Sequence, residues 1–257
     1  TLLEEVSLHP LMGRYLGMLQ NEKANPSRNT EPDENFAREV MQLFSIGLVE
    51  LNNDGSPKRD ANGNTIPTYN NATISNLARS LTGWNFGGAA SWYVWEDDVK
   101  LPGLIRAMTP VASFHDTGTK TLLNGVNVPA GGTADADLRI ALDNRHNHPN
   151  VGAFLARHMI QRLVTSNPSP AYIGRVAAAF NNNGAGVRGD MRAVVRAVLM
   201  DNEARDATIA ARDEFGKVKE PMIRLTAIWR AFGAQGQSVA GPAGATTRAL
   251  LRNRGAG

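Results

Sequence analysis

Residues 30–48 read TEPDENFAREVMQLFSIGL. At about 100° per residue, Phe36, Val40, Leu43, Phe44 and Gly47 fall on one arc of a helix, and Ala37 and Met41 widen it. The opposite arc carries Glu34, Asn35, Arg38, Glu39 and Gln42. Thr30 fits an N-cap, with Pro32 in the first turn, where a missing N–H costs little. Asp33 and Glu34 would sit near the positive end of the helix dipole. Glu34 and Arg38 are an i,i+4 pair in the favourable order, whereas Glu34 and Glu39 are five apart and do not stack. The pattern predicts an amphipathic helix whose apolar arc packs into a core.

The same reading extends along the chain. Residues 1–20 predict one helix broken at His9-Pro10, because proline disfavours helix just before it; Leu11, Tyr15, Met18 and Leu19 form its second apolar face. Residues 50–69 are rich in Asn, Asp, Gly and Pro, and Asn62-Gly63 predicts a type I′ hairpin. Asn71 is a candidate cap for a helix with Ile74, Leu77, Ala78 and Leu81 on one face, ending at Gly83. Trp84 follows and is read as closing the core, with a ligand platform as the alternative. Residues 87–132 are poorly periodic and predict an irregular cover segment. Within them Trp92, Tyr93 and Trp95 cluster with Glu96, Asp97 and Asp98, and Asn124-Gly125 marks a second hairpin over 120–128. Helices then follow one another: 134–144 capped by Thr133, 151–164 capped by Asn150, 171–182 opened by Ser169-Pro170, 190–201 and 219–233. Residues 238–257 are Gly/Ala-rich and are expected to be loosely ordered. The fold class expected is all-α, a multi-helix array with two small β-hairpins in a single domain over 1–257.

The segment ENFAREVMQLFSIGL resembles the signature helix of a bacterial family, domain of unknown function 1800 (DUF1800). Residues 78–85 (ARSLTGWN), 115–123 (HDTGTKTLL), 148–164 (HPNVGAFLARHMIQRLV), 167–170 (NPSP), 189–205 (GDMRAVVRAVLMDNEAR) and 219–232 (KEPMIRLTAIWRAF) resemble the same family in order. The resemblance implies a helical protein, often exported, often encoded beside a sulfatase-like partner. It implies no reaction. Family members are longer, so the chain reads as an internal fragment, and a signal sequence would lie outside it.

Composition narrows the classes. The 257 residues are 42% hydrophobic and 20% charged, ample for a sizeable core. No apolar run is long enough to span a bilayer. The absence of cysteine excludes disulfides, thiolate zinc sites and cysteine nucleophiles. A net charge of +3, spread along the chain, does not point to nucleic acid.

Several motifs are weaker than their letters. Gly184, Gly186 and Gly189 match G-x-G-x-x-G, but a dinucleotide site needs a preceding strand, and a helix is predicted there. Gly118-Thr119-Lys120-Thr121 lacks the leading glycine of a phosphate loop. Asp60, Asn62 and Asn64 alternate as in a calcium loop, without its glycine or terminal glutamate. His115, Asp116, His146 and His148 show no zinc spacing, and loop residues or helix caps are the simpler reading. Arg188, Arg192 and Arg196 form a stripe read as a solvated helix face. No cofactor or metal is assigned.

Two functions are expected from these residues. The first is an exported helical scaffold binding a partner protein. The alternative is a hydrolase-type enzyme with Glu39, His115 and Asp116 as acid–base residues. Asn35, Arg38, Trp84 and Lys120 are the candidate binding residues. Asn35, Arg38 and Glu39 are expected to lie partly buried beneath the 87–132 segment, holding His115-Asp116 through charge-assisted hydrogen bonds.

Overall fold

A computed structural model describes residues 2–94, 99, 101–238 and 249–252. The Trp95–Asp98 part of the predicted aromatic–acidic cluster, and most of the 238–257 end, lie outside the described residues. The architecture is predominantly helical, as the periodicity predicts. Among the described residues, no helix is long and apolar enough to cross a membrane.

Helices α1 (Leu2–Ser7) and α2 (Pro10–Leu16) are separated at His9-Pro10. His9 caps α2 by accepting the Leu11 N–H at Nδ1. The buried residues of α2 are Pro10, Gly13 and Leu16, while Leu11 and Tyr15, expected inside, stand exposed. Helix α3 (Asn35–Gln42) is the core of the signature stretch, with Phe36, Ala37, Val40 and Met41 buried. It is shorter than predicted. Thr30 pairs with Asn25 in an isolated bridge and caps nothing, and Asp33 Oδ1 instead accepts the Asn35 N–H. The chain leaves the helix after Gln42, so Leu43 and Phe44 turn outward. Gly47, at φ +74°, permits the reversal that follows.

The 60–64 turn corrects another expectation. Gly63 lies at φ +83°, but Asn62 does not have positive φ, so this is not a type I′ turn. The Gly63 N–H donates to Asp60 O (3.0 Å) and the Asp60 N–H to Asn64 O (2.9 Å). That is a type I turn followed by a left-handed glycine, the usual three-residue hairpin loop. Asp60 Oδ1 accepts the N–H groups of Asn62 and Asn64, so its own loop occupies it.

Helix α4 (Asn71–Ser80) is capped one residue earlier than read, by Asn70 through the Thr73 N–H. It ends at Leu81, and Gly83 (φ +88°) turns the chain into β1 (Trp84–Asn85). Strand β1 pairs antiparallel with β2 (Thr109–Pro110), bracketing α5 (Leu101–Ile105). A second ladder joins β3 (Lys120–Thr121) to β4 (Asn127–Val128). Here the type I′ reading holds: Asn124 and Gly125 both have positive φ, at 55° and 72°. The 87–132 region is thus irregular chain carrying short elements.

Helix α6 (Ala134–His146) is capped by Thr133, and α8 (Pro170–Asn181) by Ser169. Helix α7 (Asn150–Leu163) differs from its reading. Asn150 is buried in the first turn and reaches across to the loop after α3. Its Oδ1 accepts the Leu51 N–H (2.9 Å), and Nδ2 donates to Ile46 O (2.9 Å) and Val49 O (2.8 Å). The cap role passes to His148, whose Nδ1 accepts the Asn150 N–H. Helices α9 (Met191–Met200), α10 (Asn202–Arg205), α11 (Ala207–Ala210) and α12 (Pro221–Ala231) follow. Beyond them β5 (Gln235–Ser238) pairs with β6 (Ala249–Arg252).

The core has two packed regions that merge. Helix α3 rests on α2 and α4, and α4 on α6 and β3; α7, α8 and α9 pack on one another. The glycine-rich 184–189 segment is a connection between α8 and α9, with no strand before it. Arg188 precedes α9, so it does not share a helix face with Arg192 and Arg196. It donates instead to His146 O and His148 O, both at 2.9 Å, closing the C-terminal end of α6.

Candidate functional site

The densest buried polar cluster forms where the 115–120 loop meets α4 and α6. Alternation along β3 turns Lys120 inward and Thr121 outward. The first turn of α6 presents Asp137 beside Ala134 and Leu138 on its buried side, near the positive end of the helix dipole. Lys120 and Asp137 are each about 1% exposed, and so is His115.

Lys120 Nζ lies 2.6 Å from Asp137 Oδ2 and also donates to Asp116 O. His115 Nε2 lies 3.2 Å from the same Asp137 oxygen. On the other edge of the ring, His115 Nδ1 is 2.9 Å from Thr82 O, an acceptor, so Nδ1 carries a hydrogen. The Thr82 hydroxyl accepts the Asp116 N–H and donates to Arg79 O. Asp116 is gripped by Arg79, with Nε to Oδ2 at 2.8 Å and Nη2 to Oδ1 at 3.0 Å. Burial raises the Asp116 carboxyl, but the hydrogen bonds from Arg79 and the Gly118 N–H outweigh it and hold the group below the usual carboxylate value.

Chemically, this arrangement ties an irregular loop to two helices without a sheet. A buried loop must find partners for its polar groups, and here side chains supply them. Close approach is also needed at Gly83, where a Cβ would come within 3.0 Å of the His115 backbone.

The candidate residues divide between separate places. His115, Asp116 and Lys120 come together. Trp84 is buried in the core, with no hydrogen-bond partner at Nε1. Asn35, Arg38 and Glu39 do not join the network, which corrects the clamp expected above. Among the described residues, no hydrogen bond or ion pair links them to 114–120. Arg38 pairs with Glu34 at 3.3 Å, with both side chains about two-fifths exposed, and Asn35 is exposed. Glu39 faces the Tyr69 side, where burial pushes the phenol up and Arg38 and Glu39 oppose each other in the remainder. The reason is geometric: α3 presents its polar arc away from the 115–120 loop, and Arg79 of α4 occupies the position assigned to Arg38.

His146 and His148 also stand apart from His115. His146 lies against Phe180 and Gly189, and His148 caps α7. Burial lowers both imidazoles below the ordinary histidine value. Among the described residues, no group of three or more His, Asp or Glu side chains is placed to hold a metal ion.

Sequence reasoning missed Arg79 and Asp137. Arg79 lay inside the quoted ARSLTGWN motif. Asp137 sits beside Leu138 on the inward side of a predicted helix, and an acid on an apolar arc is a usable signal.

No curated protein and no solved structure matches the chain. A family model described as protein of unknown function (DUF1800) matches residues 1–255. That match spans nearly the whole sequence, and the chain belongs to the DUF1800 family.

Proposed function

We propose that this chain is an exported helical scaffold that binds a partner protein, and that the polar network is its internal clamp. The observation that supports this reading is a contrast between inside and outside. His115, Lys120 and Asp137 are shut off from solvent and Asp116 is held by Arg79, which leaves no open acid–base pair among them. Large apolar side chains meanwhile stand exposed: Leu11 and Tyr15 on α2, and Met222, Ile223, Ile228 and Phe232 on or beside α12. A hollow of about 500 Å³ lined by Leu2, Val6, Leu11 and Tyr15 lies between α1 and α2. Exposed apolar surface of this kind favours association. Export and a sulfatase-like partner follow from the family resemblance and form part of the proposal.

Co-expression with a sulfatase-like candidate partner tests it. The two should co-purify, and Ile228→Asp with Phe232→Asp, or Leu11→Asp with Tyr15→Asp, should abolish the complex without lowering the melting temperature. Absence of a complex, together with hydrolytic activity lost in Asp116→Asn, would overturn the scaffold reading in favour of the hydrolase.

A further inference from the structure

The Lys120–Asp137 contact carries more than a clamp requires. Lys120 Nζ and Asp137 Oδ2 are 2.6 Å apart, and the two side chains are 0% and 1% exposed. His115 Nε2 touches the same carboxyl oxygen, and its ring is equally enclosed. Taken as ions, a lysine ammonium and an imidazolium would set two positive charges against one carboxylate. Asp116, whose carboxylate is held by Arg79 and also lies 3.7 Å from Lys120 Nζ, does not remove the excess, because the whole cluster would still set Lys120, His115 and Arg79 against only Asp137 and Asp116. Burying uncompensated charge is costly, and the uncharged set removes the excess. In that set Lys120 is an amine, Asp137 a carboxylic acid, and one proton lies between Oδ2 and His115 Nε2. Asp137 Oδ1 has no hydrogen-bond partner, which suits a carbonyl oxygen better than half of a carboxylate. Gly132 gives that oxygen room, because a Cβ there would collide with it.

An amine, a carboxylic acid and a proton-transfer group in a water-excluded site are the reactants for amide formation. We propose that Lys120 and Asp137 form an intramolecular isopeptide bond. Lys120 Nζ attacks Asp137 Cγ, forming the C–N bond. The Cγ–Oδ2 bond breaks, and Oδ2 leaves as water, carrying the proton it shared with His115 Nε2 together with the one released by the amine. His115 Nε2 relays that second proton from nitrogen to oxygen and ends in the protonation state in which it began. The sum is one amine and one acid converted to one amide and one water, with no oxidant or co-reactant. His115 is a catalytic residue here because it touches the leaving oxygen. The link would join β3 to α6 covalently in a chain that has no cysteine for a disulfide. This inference does not depend on the partner-binding reading.

Intact-mass measurement of the purified full chain, denatured before analysis, tests it directly. The chain should be lighter than its sequence by one water molecule, and peptide mapping should recover a branched peptide joining Lys120 to Asp137. Lys120→Arg and Asp137→Ala should each restore the full mass. His115→Gln should leave a mixture whose linked fraction grows slowly after folding. Full mass in aged, folded wild-type protein would overturn the proposal. So would a water loss that persists in Lys120→Arg, which would instead mark a cyclised aspartate.

Discussion

Arg79 holds Asp116 through two parallel hydrogen bonds from the Nε–Nη2 edge of its guanidinium, at 2.8 and 3.0 Å, and so fixes an irregular loop to helix α4. The pair is partly open, with side chains 29% and 15% exposed, so its worth lies below that of a fully buried pair. Arg79→Ala should lower stability by about 1.5–3 kcal/mol, the range for hydrogen bonds to charged groups, towards its lower end. Arg79→Lys should recover only part of it, since an ammonium cannot match the two-point geometry. Denaturant midpoints of the three proteins provide the check.

Arg145 makes the opposite case. It is 1% exposed, donates to Ala141 O, and leaves Nε and Nη2 without partners; burial pushes it down to about 9. No carboxylate is stranded by its removal. Arg145→Met should therefore be neutral or stabilising, by about 1–2 kcal/mol, as when buried ionic groups give way to apolar ones of similar volume. A loss of several kcal/mol on chemical denaturation would refute this.

Acid should weaken the α6–α7 junction. Burial lowers His148, opposed by Glu50 and assisted by Lys58, Arg188 and Arg145; burial and Arg188 lower His146. Below the unfolded histidine value of about 6.5 the unfolded chain binds more protons than the folded one, so stability falls as pH drops. Protonation also removes the lone pair with which His148 Nδ1 caps α7. Thermal melts between about pH 7 and 5 should show a decline that is shallower in His148→Asn.

Two glycines separate backbone strain from crowding. Gly63 lies at φ +83° with no atom within 4 Å of where a Cβ would stand, so Gly63→Ala should cost about 1 kcal/mol. Gly83 lies at φ +88° and a Cβ would also press on the His115 backbone. Gly83→Ala should cost clearly more and should loosen the 115–120 loop. Hydrogen exchange at the Asp116 amide, which donates to Thr82 Oγ1, would report that loosening.

Local rules determined much of this protein from its sequence alone. The breaks at His9-Pro10 and Ser169-Pro170, the cap at Thr133, and the type I′ turn at Asn124-Gly125 depend on a few adjacent residues, and each was legible. The buried positions Phe36, Val40, Ile74, Leu77 and Leu138 followed from helical period. Helix ends were less legible. Thr30 and Asn150 have capping chemistry, but Thr30 was drawn into a bridge with Asn25 and Asn150 into the loop after α3. The polar network was decided by tertiary structure. Arg38 and Arg79 both stand on predicted helices, and no local property says which of them faces His115-Asp116. That choice depends on how α3 and α4 are rotated about their axes by packing, and on α6 bringing Asp137 to Lys120 across 17 residues of chain. Side-chain charge gives a residue the means to pair, and only the packed core sets its partner.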